Sequence, residues 1–341
     1  MITGHMGYVG SVLAPMLIGD GHRVVGLDMG FFQEGVLGET PRGIPHWDMD
    51  VRDVTTDQLH GIDVVIHLAG ISSDPLGDLN PAVTFDINHR ASVRLAVLAR
   101  AAGVRQFMFA SSCDVYGGND GQVPLTEDAA LNPLTPFARS KALAEQDISD
   151  LADDNFSPSY FRCATAYGYS PRMRTDLLVN YLCGSAILKD EVHLDSDGSE
   201  FRPLVHVEDI ARSYCSVLNS PLDLTHNQVY NVGRTAENYP LRTVAEIVNA
   251  GVPGSTIHSE PSTGGDVRGY SVDCSKLEST IKTYRPIWDV ETGIRQLFSI
   301  YRHFGLTCDQ FLGRPFMRLD QIKWLIANGK LGVSLRSQNV A

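Results

Sequence analysis

The sequence predicts an α/β protein built on a doubly wound parallel sheet. Two observations carry that prediction. The chain opens with a short apolar segment, a glycine-rich turn, a helical stretch and a second strand ending on an acid, MITGHMGYVGSVLAPMLIGDGHRVVGLD. Apolar runs of strand length then alternate with stretches of helical period through the first half of the chain. Such alternation is the pattern of parallel strands joined by crossover helices.

The opening unit carries the first candidate site. Gly4, Gly7 and Gly10 are spaced GxxGxxG. Glycines there let the backbone turn tightly and approach a pyrophosphate, and the following helix offers its N-terminal amides to the anion. Tyr8 and Val9 lie in the same turn and are candidate cofactor contacts. Val9, Leu13, Met16 and Leu17 mark the buried side of the helix. Arg23–Leu27 is the second strand, and Asp28 ends it. A carboxylate there bonds the adenosine ribose hydroxyls and repels a 2′-phosphate, which favours NAD over NADP. Only Met1, Ile2 and Thr3 precede Gly4. A strand usually has about five or six residues, so a longer natural N-terminus is expected.

A third short strand precedes DMDVRD, Asp48–Asp53, and Asp63–Leu68 is the next strand, leading into HLAGISSDP. Asp50 and Val51 are placed to flank an adenine; the alternative for Asp50 is an acid at a helix N-terminus. Leu68, Ala69 and Gly70 would let backbone approach the cofactor. His67, within an apolar strand, reads as a core histidine. Pro81–Ala102 reads as one long helix with Val83, Ile87, Ala91, Leu95 and Leu98 at helical spacing. Asn88 in that helix either braces the site loop or sits on a solvated face.

The stretch from Ser111 to Lys141 organises the rest. The strand Gln106–Ala110 runs out into small polar residues there. Ligands of doubly wound sheets bind at the carboxyl ends of the strands. A helix starts near Pro136, and Phe137 and Lys141, four residues apart, share one of its faces. A hydroxyl (Ser112), a thiol (Cys113), a carboxylate (Asp114) and an ammonium (Lys141) are thus expected to converge.

Composition excludes other classes. The chain has 341 residues, 43% hydrophobic and 20% charged, with a formal net charge of -12. That balance fits a soluble globular protein and argues against nucleic acid as a partner. No apolar run reaches membrane-span length, the opening does not read as a signal peptide, and a cytoplasmic location is expected. The six cysteines and eleven histidines are scattered without ligand spacing, so no metal is expected.

Taken together, GHMGYVG, the Asp28 strand end, DVRD, HLAG, SSCDVYG, PFARSK, RPLVHVEDIA, NVG and DVRGY resemble the extended short-chain dehydrogenase/reductase family, specifically its nucleotide-sugar epimerases and dehydratases. The likeness runs to about Gly305. It implies a Rossmann-like NAD-binding domain over 1–164 and 203–234. It also implies a smaller, discontinuous nucleotide-sugar domain over 165–202 and 235–305, with a helical tail over 306–341. NAD is the implied cofactor and a nucleotide-diphosphate sugar the implied substrate. A homodimer is implied too, pairing the helices Pro81–Ala102 and Pro136–Ala152. Leu319, Ile322, Leu325 and Ile326 follow helical spacing in the tail, which packs either on the body or on a partner subunit.

The family uses a Tyr-x-x-x-Lys pair with a Ser or Thr. By resemblance Lys141 bonds the nicotinamide ribose and Ser112 the sugar's reacting oxygen. The tyrosine position is Phe137. A phenol of pKa about 10 ionises with help from a nearby ammonium; a phenylalanine has no proton to exchange. Three readings follow: an inactivating Tyr-to-Phe change, a base moved elsewhere, or a protein that only binds. In the dehydratases an acid pair follows the Ser/Thr; here it is Cys113–Asp114. The alternatives are a buried small residue at Cys113 and a loop-capping aspartate at Asp114. Arg172 and Arg174 follow a Ser-Pro turn, and Asn180, Arg202 and Arg268 match the family's diphosphate and nucleotide contacts; guanidinium forks suit a diphosphate. The expected activity is epimerisation through a transient ketone. Dehydration and non-catalytic NAD or sugar-nucleotide binding are the alternatives.

Overall fold

A computed structural model describes residues 1–118, 121–260 and 269–338. Its strands are β1 (Ile2–Thr3), β2 (Gly26–Asp28), β3 (His46–Asp48), β4 (Val64–His67), β5 (Gln106–Ser112), β6 (Ser157–Cys163), β7 (Thr165–Tyr167), β8 (Glu191–Leu194), β9 (Phe201–His206), β10 (Gln228–Val232), β11 (Asn238–Pro240) and β12 (Thr256–Ser259). Seven of them form the main sheet in the order β10-β6-β5-β4-β1-β2-β3, and every pairing in it is parallel. This is the doubly wound α/β sheet that the sequence predicts. The strand order reverses direction between β1 and β4, so a crevice opens beyond their carboxyl ends.

Helices cover both faces because successive side chains alternate. Ile66 joins Leu13, Leu17, Phe161 and Tyr214 on one face. Val65 joins Leu95, Phe107, Phe109 and Tyr160 on the other. Central β1 is short, but Ile2 is held by Gly26 on one side and Ile66 on the other. The Met1 amine donates to the Val64 carbonyl at 2.7 Å. β5 runs two residues beyond its predicted end, because β6 supplies ladder partners up to the pair Ser112–Cys163. That extension fixes Ser111 and Ser112 as strand residues at the crevice.

The predicted helix over Pro81–Ala102 is interrupted. It is α-helical over Pro81–Phe85 and Ala91–Ala101, with a π-helical turn over Asp86–Arg90 between them. The wider turn carries Asn88, which is fully buried; such turns accompany functional sites. A further helix, Asp74–Leu79, follows β4 and has no counterpart in the sequence reading.

A second core lies beside the sheet. Leu182 of the helix Leu178–Lys189, Val248 of the helix Leu241–Gly251 and Ile294 and Leu297 of the helix Val290–His303 pack with Tyr167 and Val192. The three-stranded sheet β11-β9-β7 and the pair β12-β8 belong to this half. The tail returns to the body: Ile322 and Leu325 of the helix Arg318–Ala327 pack on Ile71, Leu76 and Val83. Among the described residues no helix is long and apolar enough to cross a membrane.

Candidate active site

A cavity of about 470 Å³ opens at the carboxyl ends of the central strands, lined from the glycine turn at one end to Ser112, Phe137 and Lys141 at the other. Gly4 starts it. Its φ is +74°, and a Cβ there would lie 2.8 Å from the Ala69 backbone nitrogen. Gly10 is equally constrained, since a Cβ would lie 2.4 Å from the Gly4 carbonyl oxygen. These positions press the turn against the Leu68–Gly70 segment, and Gly7, Tyr8, Val9, Leu68, Ala69 and Gly70 all line the cavity. Tyr8 points its hydroxyl away, donating to the Gly168 carbonyl at 2.6 Å, so it ties the glycine turn to the second half.

Asp28 faces the same space. Its carboxylate accepts from the amides of Met6 at 3.0 Å and Gly30 at 2.9 Å, which fixes its orientation on the cavity wall. Asp50 and Val51 line the cavity too. Both alternatives for Asp50 meet in one residue: it caps the turn Val51–Asp53 and it walls the cavity. Its oxygens are taken up by Arg52, at 2.6 Å from Nη2. Arg52 also donates to the carbonyls of Ser334 at 2.8 Å and Leu335 at 3.1 Å. Sequence reasoning missed this residue, because its partners lie far along the chain.

At the other end the site rests on the helix Pro136–Ser149. Thr135 caps it, accepting from the Ala138 amide at 3.1 Å, and its hydroxyl donates to Asp74 at 2.6 Å. The cap sets the first helical turn, so Phe137 and Lys141 reach the cavity from one face. The Lys141 ammonium donates to the Ala110 carbonyl at 2.7 Å and sits 4.8 Å from the Phe109 ring centroid. Burial lowers its pKa to about 8. Asn88 braces the loop opposite: its side chain accepts from the Ile71 amide at 2.7 Å and donates to the Ile71 carbonyl at 2.9 Å and to Ser140 at 3.2 Å. It is not on a solvated face.

Ser112, Asp114 and Tyr270 form one cluster on the cavity wall. The Ser112 hydroxyl donates to Asp114 at 2.9 Å, and the Tyr270 phenol donates to the other oxygen of Asp114 at 2.8 Å. Burial and the adjacent Asp114 push the Tyr270 phenol well above its ordinary pKa, so it stays a donor. Tyr270 escaped the sequence reading, although it ends the quoted DVRGY motif. Cys113 does not join the cluster. It is fully buried, its thiol donates to the Arg162 carbonyl at 3.0 Å, and burial pushes its pKa well above the ordinary value. It takes the small-core-residue alternative.

Beneath this end lies a buried ion pair that the sequence did not announce. Arg162 and Glu145 meet at 2.6 Å, Arg162 reaches Tyr116 at 3.0 Å, and Tyr116 donates to Asn231 at 2.7 Å. Ser111 donates to the same Glu145. His67 is a core histidine, held between Thr3 at 2.6 Å and Ser92 at 2.8 Å, with burial lowering its pKa to about 3.

The expected substrate contacts divide. Arg174 lines the cavity, paired with Asp176 at 2.9 Å and reaching Ser72 at 3.2 Å. Arg172 is turned to the Gln33 carbonyl and is not on the wall. Asn180 is fully buried behind it, bonded to Gly168 at 2.8 Å, to the Arg174 carbonyl at 2.8 Å and to Tyr8 at 3.3 Å. It holds the segment carrying Arg174. Arg202 lies on β9, its guanidinium donating to the Phe201 carbonyl at 3.0 Å, off the cavity wall. Arg268 lies outside the described residues.

A parallel sheet with a glycine turn, a strand-ending acid and a Ser-Lys pair in one cavity is the arrangement of a dinucleotide-binding fold. Residues 1–233 match the model of the NAD dependent epimerase/dehydratase family. The chain belongs to that family, and its cofactor is NAD. The residues fit that group: Gly4 and Gly10 permit close backbone approach, and the Asp28 carboxylate lies on the same cavity wall. The chain is 28% identical over 330 residues to a UDP-glucose 4-epimerase of Neisseria meningitidis serogroup B, covering 87% of this chain and 94% of that one. The solved structure of MoeE5 in complex with UDP-glucuronic acid and NAD is 25% identical, with a TM-score of 0.76 over 89% of this chain and 98% of that one. The fold is shared with DesIV, a dTDP-glucose 4,6-dehydratase from Streptomyces venezuelae. There the identity is 22% and the TM-score 0.76, over 91% and 98% of the two chains.

Proposed function

We propose that this chain is built for NAD-dependent epimerisation of a nucleotide-diphosphate sugar through a transient ketone, and that Phe137 withholds the reaction. The observation that carries the reading is the common cavity wall of Ser112, residue 137 and Lys141 beside the glycine turn. NAD, when bound, supplies the hydride acceptor. Ser112 holds the reacting oxygen of the sugar, Asp114 holds Ser112, and Tyr270 holds Asp114. Lys141 serves the nicotinamide ribose, and its ammonium would draw down the pKa of a phenol four residues earlier on the same helical face. Phe137 packs its backbone and Cβ against Gly77, where an added Cβ would lie 3.1 Å from its own, and its ring has no oxygen to exchange a proton.

The test is turnover of UDP-, dTDP-, GDP-, CDP- and ADP-sugars in D2O by this chain and by Phe137→Tyr, read by NMR and mass. Turnover by the tyrosine form alone supports the reading. Carbon-bound deuterium then marks chemistry beside a ketone, and its absence marks hydride return at one carbon. Equal turnover by both forms sinks it and moves attention to Asp114. No turnover by either form, with NAD and sugar nucleotide still bound, leaves a binding protein. Dehydration draws less support, since the Cys113 thiol is sealed from the cavity.

Two helices of the fold also support a homodimer. Val97 and Leu143 stand exposed on the Ala91–Ala101 and Pro136–Ser149 helices, the pair by which such a dimer would form. A monomer by light scattering at micromolar concentration would remove that part.

A further inference from the structure

We propose that Arg318, carried by the C-terminal tail, binds the diphosphate of NAD. The inference rests on NAD as cofactor and not on the reaction proposed above. Arg318 opens the helix Arg318–Ala327 and is 3% exposed, yet it lines the cofactor cavity. Its guanidinium makes no hydrogen bond or ion pair among the described residues, and Nη1 is buried without an acceptor. Other buried guanidinium groups here are matched: Arg162 with Glu145, Arg174 with Asp176. Asp176 and Asp28 act on it only at a distance, and a buried cation without a hydrogen-bonded counter-ion is costly, so a ligand that brings an anion into contact here gains from attraction and from relief.

The position says which anion. The Arg318 guanidinium lies 3.8 Å from the centroid of the Phe32 ring, in the loop that leaves Asp28. Its backbone amide donates to Asp176 at 3.3 Å, which places it between the ribose-facing acid and the Arg174 segment. The amides at the start of the helix Gly10–Gly19 address the same cavity. NAD carries its negative charge on the diphosphate, and a guanidinium fork pairs with two of its oxygens. Burial, with Arg174 nearby, outweighs the pull of Asp176 and Asp28 and lowers the Arg318 pKa to about 9. Stacking on Phe32 holds the fork in place before the ligand arrives.

The tail is fastened for this task. Arg52 clasps Ser334 and Leu335 through their carbonyls while pairing with Asp50 at the adenine end. Ile322 and Leu335 line the cavity beside Arg318. One segment thus covers the cofactor from the diphosphate to the adenine, and it lies wholly beyond the part of the chain that the family model matches.

The experiment uses the full chain with Arg318→Met and Arg318→Lys. NAD, ADP, adenosine and UDP are titrated by calorimetry, and the melting temperature is read without ligand. In Arg318→Met, affinity for NAD and ADP should fall roughly ten- to a hundredfold. Adenosine, which has no phosphate, should bind as before. The ligand-free protein should melt at the same temperature or higher, because an unpaired buried charge has gone. Arg318→Lys should recover part of the affinity. Unchanged binding of NAD and ADP overturns the proposal. So does a parallel loss for adenosine with a lower melting temperature, which is the mark of a merely structural residue. A loss confined to UDP assigns the arginine to the sugar nucleotide's diphosphate instead and overturns it as well. Wild-type NAD binding is the control: if it is absent, the cofactor itself falls, and this inference with it.

Discussion

The cavity has two ends with opposite defects. At the catalytic end the polar groups satisfy one another: Ser112 and Tyr270 both donate to Asp114, and Lys141 donates to the Ala110 carbonyl. What is missing there is a phenolic oxygen at residue 137. At the other end, the Arg318 guanidinium stacks on Phe32 but has no hydrogen bond or ion pair among the described residues. A satisfied cluster holds a shape, and a surplus charge marks where a ligand's charge enters. On the readings proposed above, the first end lacks a chemical group and the second an occupant.

Four outcomes sharpen or break that contrast. The largest is at the catalytic end. Phe137→Tyr should raise sugar-nucleotide turnover at least about a hundredfold, the lower range for a placed proton acceptor. Unchanged product formation would mean that the cluster of Ser112, Asp114 and Tyr270 already suffices. The next lies beneath the same end. Glu145→Gln leaves Arg162 buried without its counter-ion and should cost about 3–5 kcal/mol of stability in denaturant unfolding. That loss would contrast with Arg318→Met, which removes a cation with no ion pair among the described residues. A cost below about 1 kcal/mol would erase the distinction between the two arginines.

At the adenosine end, Arg52→Met should cost about 2 kcal/mol. It should also speed amide exchange in the segment 318–338, because the clasp on Ser334 and Leu335 is lost. Exchange that stays slow would show the apolar contacts of Ile322 and Leu325 to be enough. The smallest outcome concerns Lys141. Its pKa is near 8 when folded and 10.5 when unfolded. The unfolded chain therefore binds more protons between those values, and stability should rise with pH across that window. The rise should be on the order of 1 kcal/mol per pH unit relative to Lys141→Met in NAD-free protein. A flat difference would mean that water reaches the ammonium.

What was legible in the sequence is local or rests on whole motifs. GxxGxxG followed by a strand-ending acid is a contiguous unit, and Gly4, Gly10 and Asp28 stand in the cavity because a strand, a turn and a helix put them there. Phe137 and Lys141 share a helical face by spacing alone. Where a residue had two readings, local pattern had no means to choose. Asn88 is turned inward by a π-helical turn that the helical period does not reveal. Cys113 and Asp114 are adjacent, yet the 3₁₀ turn after β5 buries one and brings the other to the wall. Asn180 and Arg172 sit in the expected segment, but their side chains are taken up by protein groups, Asn180 by Gly168, the Arg174 carbonyl and Tyr8, Arg172 by the Gln33 carbonyl.

The sequence by itself determined the sheet, the cofactor class and the absent phenol. Each follows from residue type at short spacing, where chain geometry leaves little freedom. Only the tertiary structure decided that the tail lines the same cavity as the glycine turn, that Tyr270 reaches Asp114 across 156 positions, and that Arg318 enters that cavity without an ion pair among the described residues. Contacts between distant segments depend on how whole layers pack, and burial, which gives a charge its meaning, is a property of the packed molecule.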